Sequence, residues 1–179
     1  MDLLEALSEG GLLFGGFADD EGGRHPERWA RVKARLGPLL FRWDSGSLEE
    51  NFTKAVPADK LEDLIGGTDD GPGSRLRTLA LRLDIEDKQF ASIKTAAGDK
   101  LIGLITEAAL GTVPPGKEGE KGTYKSHAQT WFKSETGGRE LANKLFTLGL
   151  WPQFRPAILP FLNAVRAAVG LSALEDLPE

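Results

Sequence analysis

The chain has 179 residues, 40% of them hydrophobic and 27% charged, which is enough to bury a compact core and too apolar for a disordered tail. Its 22 Lys and Arg against 27 Asp and Glu leave a net charge of -5, so bulk positive charge is excluded as a route to nucleic acid, and any polyanion contact must be local or metal-mediated. The absence of cysteine and the presence of only two histidines exclude disulfides, thiolate ligands and cysteine nucleophiles, leaving carboxylates as the expected holders of any metal. The first residues, Met1-Asp2-Leu3-Leu4-Glu5, carry acids where a secretory signal needs basic groups. No apolar run reaches the ~20 residues that cross a bilayer, so a cytoplasmic protein with no membrane partner is expected.

In chain order, Leu12 to Ala18 (LLFGGFA) is a short continuous apolar run, the pattern of a strand buried on both faces. It ends in Asp19-Asp20-Glu21-Gly22-Gly23. Pro26 then sits where a first helical turn accepts it, and Trp29, Val32 and Leu36 recur at helical spacing until Gly37. A second apolar run, Leu39 to Trp43, follows. Strand, helix and strand within about 30 residues predict a right-handed βαβ unit with parallel strands, which puts the acidic cluster at the carboxyl end of the first strand.

Beyond Gly46 the period changes. Leu48, Phe52 and Val56 suit a helix, as do Leu61, Leu64 and Ile65, then Leu76, Leu79, Ala80 and Leu83, then Leu101, Leu104, Ile105 and Ala108. The stretch from Gly111 to Tyr124 holds two prolines, four glycines and charges of both signs and predicts a mobile loop. Thr130-Trp131-Phe132 suggests a short strand. Leu141, Ala142, Leu145 and Phe146 mark a helix, and Ile158 to Val169 a last apolar one. The expected division is an α/β part over residues 1–56, a helical insertion over 57–111, the loop over 112–124, and a return to the α/β part with C-terminal helices over 125–179.

Three segments can carry chemistry. If the first strand continues through the acidic turn, alternation puts Asp19 and Glu21 on one face and Asp20 on the other; two hard oxygen donors at a rigid strand end suit Mg²⁺ or Mn²⁺. The competing reading is a solvated turn. Ser47 with Glu50 matches a helix capping box, which leaves Glu49 unexplained; at the end of the second strand it would converge with Asp19 and Glu21 on the edge where open α/β sheets bind ligands. Third, Lys125 and Lys133 are cations able to neutralise a phosphate, against the common reading of lysines as solvated surface groups. A phosphate loop fails because Tyr124 precedes Lys125 where glycine is required. His25 and His127 do not make a histidine-based triad.

The stretches GFADDEGGRHPERWA, LFRWDSGSLEEN, RLRTLALRLDI, KSHAQTWFKSETGGRELA and LGLWPQFRPAILPFLNAVRAAVGL together resemble the C-terminal region of OLD-family (overcoming lysogenization defect) ATP-dependent endonucleases of class 2, which carry a Toprim domain. The resemblance implies a partial Toprim-like parallel sheet with a large all-helical insertion. Asp19-Asp20-Glu21 resembles the acidic strand end of Toprim domains, with glutamate in the third place. It further implies a third acidic element at Ser47-Leu48-Glu49 and a catalytic cation at Lys133 or Lys125, Lys133 being favoured because a helix start follows it. Asp19, Glu21, Glu49 and Ser47 are then expected at a two-metal Mg²⁺ or Mn²⁺ site that hydrolyses DNA phosphodiesters. The first Toprim strand with its glutamate, and the upstream ATPase domain, have no counterpart in the sequence. The resemblance therefore implies a fragment weak or inactive alone, with DNA, an ATPase domain in the same or a separate chain, and a second copy of the chain as partners. Two other readings stand beside it: a receiver-like phosphoacceptor domain with Asp44 as acceptor, and a non-catalytic helical interaction module.

Overall fold

The computed structural model describes residues 2–11, 14–66 and 71–175. It is a mostly helical protein with one small parallel sheet of two strands, a mixed α/β fold with helical bulk. The described chain falls into two compact units: residues 1–48 with 151–179 form the first, and Glu49–Leu150 the second. The sequence places the return to the α/β part at residue 125, whereas the chain re-enters the first unit at Trp151.

In the first unit, α1 (Asp2–Glu9) leads to β1 (Gly16–Ala18), α2 (Pro26–Leu36) and β2 (Leu40–Arg42). The strands pair parallel in the register Gly16↔Leu40, Phe17↔Phe41 and Ala18↔Arg42, as the βαβ pattern predicts, and both are shorter than the apolar runs that announced them. Leu12 and Leu13 lie outside the described residues. Parallel strands need a crossover, and α2 supplies it: Pro26 opens the helix at its first turn and Gly37, at φ 53°, closes it.

Alternation then sorts the side chains between two faces. On one face Leu40 packs with Trp29, Val32 and Leu36 of α2 in a single apolar cluster that Ala18 and Phe14 join. On the other face Phe17 stacks on Phe41 at 4.4 Å, and both approach Phe161 at 5.9 and 6.1 Å. Phe161 belongs to α10 (Trp151–Ala168), whose Phe154 also meets Trp43 edge-on at 5.9 Å. Helices thus cover both faces of the sheet, as a parallel sheet requires. Outside this core, α1 is tied to α2 by Glu5, which accepts from Arg28 Nε at 2.8 Å and Arg31 Nη2 at 3.0 Å.

The second unit is helical throughout its described residues: α3 (Leu48–Ala55, its first residue belonging to the first unit), α4 (Leu61–Ile65), α5 (Gly71–Leu83), α6 (Phe90–Ala97), α7 (Leu101–Leu110), α8 (Lys121–Gln129) and α9 (Glu135–Thr147), with 3₁₀ turns between several of them. Helices α4 to α7 occupy most of the described residues of the stretch 57–111, within a unit that runs over Glu49–Leu150. The loop predicted over 112–124 is shorter, because a 3₁₀ turn at Glu118–Glu120 runs into α8. The short strand suggested at Thr130–Phe132 is instead a turn between α8 and α9. Trp131 and Phe132 are buried there, so their apolar character reflects core packing and not strand pairing.

The centre of this unit is Arg75 on α5, whose side chain is 1% exposed. Its guanidinium forks onto Glu140 of α9 at 2.7 and 2.6 Å and donates to the carbonyls of Ile65 at 3.1 Å and Thr130 at 3.0 Å. Its plane lies over the Phe132 ring at 4.8 Å. A planar, permanently charged group with five donors fits such a position, since it satisfies several acceptors at once while its face packs against an aromatic ring.

Gly137 is the tightest approach in the unit. The first turn of α9, capped by Ser134 Oγ accepting the Gly137 N–H at 3.0 Å, presses its backbone onto the preceding turn. A Cβ at Gly137 would stand 2.6 Å from the Trp131 carbonyl oxygen and 2.9 Å from Phe132 Cα. Both obstacles are backbone, so Gly137→Ala is expected to cost about 1–3 kcal/mol as an overpacking change, despite the better helix propensity of alanine. Neighbouring Gly138 has nothing within 4 Å of such a Cβ, and Gly138→Ala is expected to be neutral or stabilising in the same urea titration. Equal effects at the two positions would refute the packing account.

Candidate functional site

β1 ends at Ala18, and the backbone then turns too sharply for strand alternation to continue. Asp20 adopts helical angles, and Glu21, at φ 56°, is one of the few non-glycine residues in left-handed conformation. Asp19 and Glu21 are consequently not related as i and i+2 of a strand, which corrects that premise. Glu21 instead opens a 3₁₀ turn, Glu21–Gly23, and is exposed.

Asp20 is the organising group of the turn. Its carboxylate accepts the Gly23 N–H at 2.7 Å through Oδ1 and the Gly46 N–H at 2.9 Å through Oδ2, while its own N–H donates to the Gly46 carbonyl at 3.0 Å. Arg42, at the end of β2, reaches the Asp20 carbonyl and lies 3.4 Å from Oδ1. The segments that leave the two strands are thereby fastened to each other. Asp19 Oδ1 accepts the Leu48 N–H at 2.9 Å, and Ser47, half-buried, stands immediately before α3. Asp19, Asp20 and Ser47 thus belong to the two strand-end segments of the first unit, the carboxyl edge where open α/β sheets bind ligands.

A cleft of about 300 Å³ opens beside this turn, between α2 and the end of β2. Asp20, Trp29, Lys33, Arg42, Trp43 and Asp44 line it, among others. Arg42 lies over the Trp29 ring, 4.8 Å from its centroid. Neither Arg42 nor the two tryptophans is anticipated from the motifs. The available signal is the placing of Arg42 inside the apolar run LLFRW, because a charge in a buried strand must find a partner.

In the second unit, Glu49 and Lys133, 84 positions apart, form an ion pair: Lys133 Nζ donates to Glu49 Oε1 at 2.9 Å. The Glu49 side chain is 10% exposed and that of Lys133 31%, so water screens the pair only partly. The structure brings together the acidic group and the cation that the sequence singles out separately. Lys125, on α8, is exposed. His127, also on α8, is partly buried beside Tyr124 at 6.1 Å between ring centroids; burial first, then the positive charges of Arg82 and Arg77, hold its imidazole below the ordinary value. His25 occupies the N-cap position of α2 in left-handed conformation without a side-chain capping bond.

Among the described residues no three histidine, aspartate or glutamate side chains gather as a metal-holding group. No helix among them is long and apolar enough to cross a membrane. No protein-family model, curated protein or solved structure matches the chain.

Proposed function

We propose that the chain takes part in metal-dependent hydrolysis of DNA phosphodiester bonds, as the nuclease part of a larger ATPase–nuclease of the Toprim type. The observation that carries this reading is the parallel β1–α2–β2 crossover, with acids at the carboxyl end of β1 fastened to the segment that follows β2. In open α/β folds that edge is where ligands sit. Asp19, Glu21 and Ser47 are the metal-holding groups proposed in the first unit, for Mg²⁺ or Mn²⁺, and Glu49 is the carboxylate proposed in the second. When bound, the metal would activate water and stabilise the leaving oxygen. Of the chain's own residues, Asp19 presents the oxygen not used by Leu48, Asp20 holds the turn in place, and Lys133 supplies a fixed positive charge for the phosphoryl oxygens. Lys125, exposed on α8, contributes attraction to the DNA backbone.

Mn²⁺ titration with cleavage of a labelled duplex tests this reading. Asp19→Asn and Glu21→Gln are each expected to weaken Mn²⁺ binding at least tenfold, and loss in Glu49→Gln would give Glu49 a ligand role. Lys133→Ala should retain metal and lower kcat by about 10²-fold or more, the scale of a lost transition-state donor. Lys125→Ala should mainly weaken DNA binding and flatten its salt dependence. Mn²⁺ affinity indifferent to Asp19 and Glu21 would refute the proposal. One observation favours a second reading, a non-catalytic helical interaction module: the Asp19 and Asp20 carboxylates already accept backbone N–H groups. That reading predicts loss of stability, and no loss of metal binding, on their replacement.

A further inference from the structure

The chain holds two histidines and no cysteine, so His25 and His127 are the side chains whose ordinary values put a change of charge between about pH 5 and 8. His25 is exposed at the start of α2. His127 differs, because its Nδ1 is buried and has no hydrogen-bond partner among the described residues. It lies on α8, which sits so close to the end of α7 that a Cβ at Gly111 would stand 2.9 Å from that of Ala128.

The charges that act on His127 are positive. Arg82 of α5, its side chain 1% exposed, lies over the Tyr124 ring of α8 at 5.0 Å, one helical turn before His127. Its Nη2 donates to the Thr112 carbonyl at 2.7 Å, while Nε and Nη1 have no hydrogen-bond partner among the described residues. Arg77, exposed on the same helix, adds a second cation. The acids of the neighbouring elements are engaged elsewhere: Glu107 of α7 lies 4.0 Å from Arg82, Glu120 of the 3₁₀ turn pairs with Lys117 at 3.2 Å, and Glu118 accepts the Gly116 N–H at 3.1 Å. Tyr124, the titratable neighbour on α8 itself, meets the imidazole edge-on at 6.1 Å between centroids. Neutral His127 keeps Nδ1 as an acceptor; protonation turns it into a buried donor and adds a third positive charge to the two already there.

We propose that His127 makes the seating of α8 pH-dependent, so that in mildly acidic solution residues 112–129 release from α5 and α7 while α5 and α9 stay folded. The moving part is small: α8 buries Tyr124 and Ala128, and residues 115–120, which lead into it, are exposed. Beyond it, Arg75 holds the carbonyls of Thr130 and Trp131, which stops the opening there. Burial and the two cations hold the seated imidazole below its ordinary value of about 6.5. Released α8 therefore binds more protons than seated α8, so the seated state is fully favoured above about pH 6.5 and loses stability as the pH falls through the seated value. The switch requires no metal and stands independently of the hydrolytic reading.

Proton NMR of the full chain follows both histidines from about pH 8 to 5, and hydrogen exchange, corrected for its intrinsic pH dependence, follows the α8 amides over the same range. The His127 midpoint is expected below that of His25. Protection of Lys121–Gln129 is expected to fall severalfold by about pH 5.5, up to the roughly tenfold that one proton with a released value of about 6.5 permits, with the amides of α5 and α9 unchanged. His127→Gln removes the drop and His25→Gln keeps it. Arg82→Met, which takes away the buried cation, moves the His127 midpoint up toward the ordinary value. The midpoints and the exchange pattern of the unsubstituted chain need no variant and decide even where His127→Gln fails to fold. A His127 midpoint at or above that of His25, a loss of protection that His127→Gln retains, or one shared equally by α9, would overturn the proposal.

Discussion

Arg75→Met is expected to destabilise the second unit by about 3–5 kcal/mol, the scale set by breaking a buried ion pair from one side. Methionine restores much of the volume and none of the donors, so Glu140, 12% exposed, loses its fork and keeps only Lys144 at 3.5 Å as a counter-charge, and the carbonyls of Ile65 and Thr130 each lose a partner. Lysine is expected to rescue little, because an ammonium can neither fork onto a carboxylate nor lie flat over Phe132. Changing both residues, Arg75→Met with Glu140→Leu, should recover only part of the loss, since it removes the carboxylate left without its fork but also takes a counter-charge from Lys144. Urea unfolding with hydrogen exchange over residues 49–150 reads the effect. A loss under about 1 kcal/mol for Arg75→Met would mean that the fork contributes no more than a surface ion pair.

The second large effect is expected in the first unit. Asp20→Ala removes the acceptor for two backbone N–H groups and the counter-charge of Arg42, and hydrogen bonds to a charged group contribute roughly 1.5–3 kcal/mol each. Asp20 is 15% exposed at its side chain and water replaces part of what is lost, so a net cost of about 2–4 kcal/mol is expected. Asp19→Ala, which removes a single acceptor from the Leu48 N–H, should cost about 1 kcal/mol, as a lost helix cap does. The order of the two is the discriminating result. A metal-ligand role for Asp19 adds a term that appears only when Mn²⁺ is present, so comparing the melts with and without the ion separates scaffold from site.

Sequence and structure agree where one local pattern decides the element. The parallel pair of Gly16–Ala18 and Leu40–Arg42 follows from two continuous apolar runs separated by a proline-started helix. Agreement ends where distant partners decide. Trp131 and Phe132 read as strand because an apolar pair in a short segment carries no period, yet they are buried around Arg75, a residue more than 50 positions earlier. Arg75 is not singled out by the helical pattern of Leu76, Leu79, Ala80 and Leu83, and its burial goes with the fork onto Glu140 of α9. Helix α10 begins at Trp151 and runs through Pro156 and Pro160, which local propensity counts against a helix; packing of Phe154 and Phe161 on the aromatic face of the sheet outweighs that. In the candidate site, position at the ends of the two apolar runs singles out Asp19 and Glu49, and only the resemblance with the helix start that follows sets Lys133 apart from other lysines. The left-handed turn at Glu21 and the pairing of Lys133 with Glu49 depend on tertiary geometry that no spacing rule encodes.

The first unit is assembled from the two ends of the described chain, and this has a consequence for its birth on the ribosome. Phe17, Phe41 and Trp43 are made early, while the helix that covers their face, α10, begins only at Trp151. About 100 residues intervene, which at ~5–20 residues per second is roughly 5–20 s of synthesis. The nascent sheet spends that interval with an aromatic face unburied and three-residue strands too short to persist alone. The intervening helices of Glu49–Leu150 are complete before α10 emerges, so the inserted unit is expected to reach its native contacts first, and the earlier-made unit to become protease-resistant only once α10 has emerged.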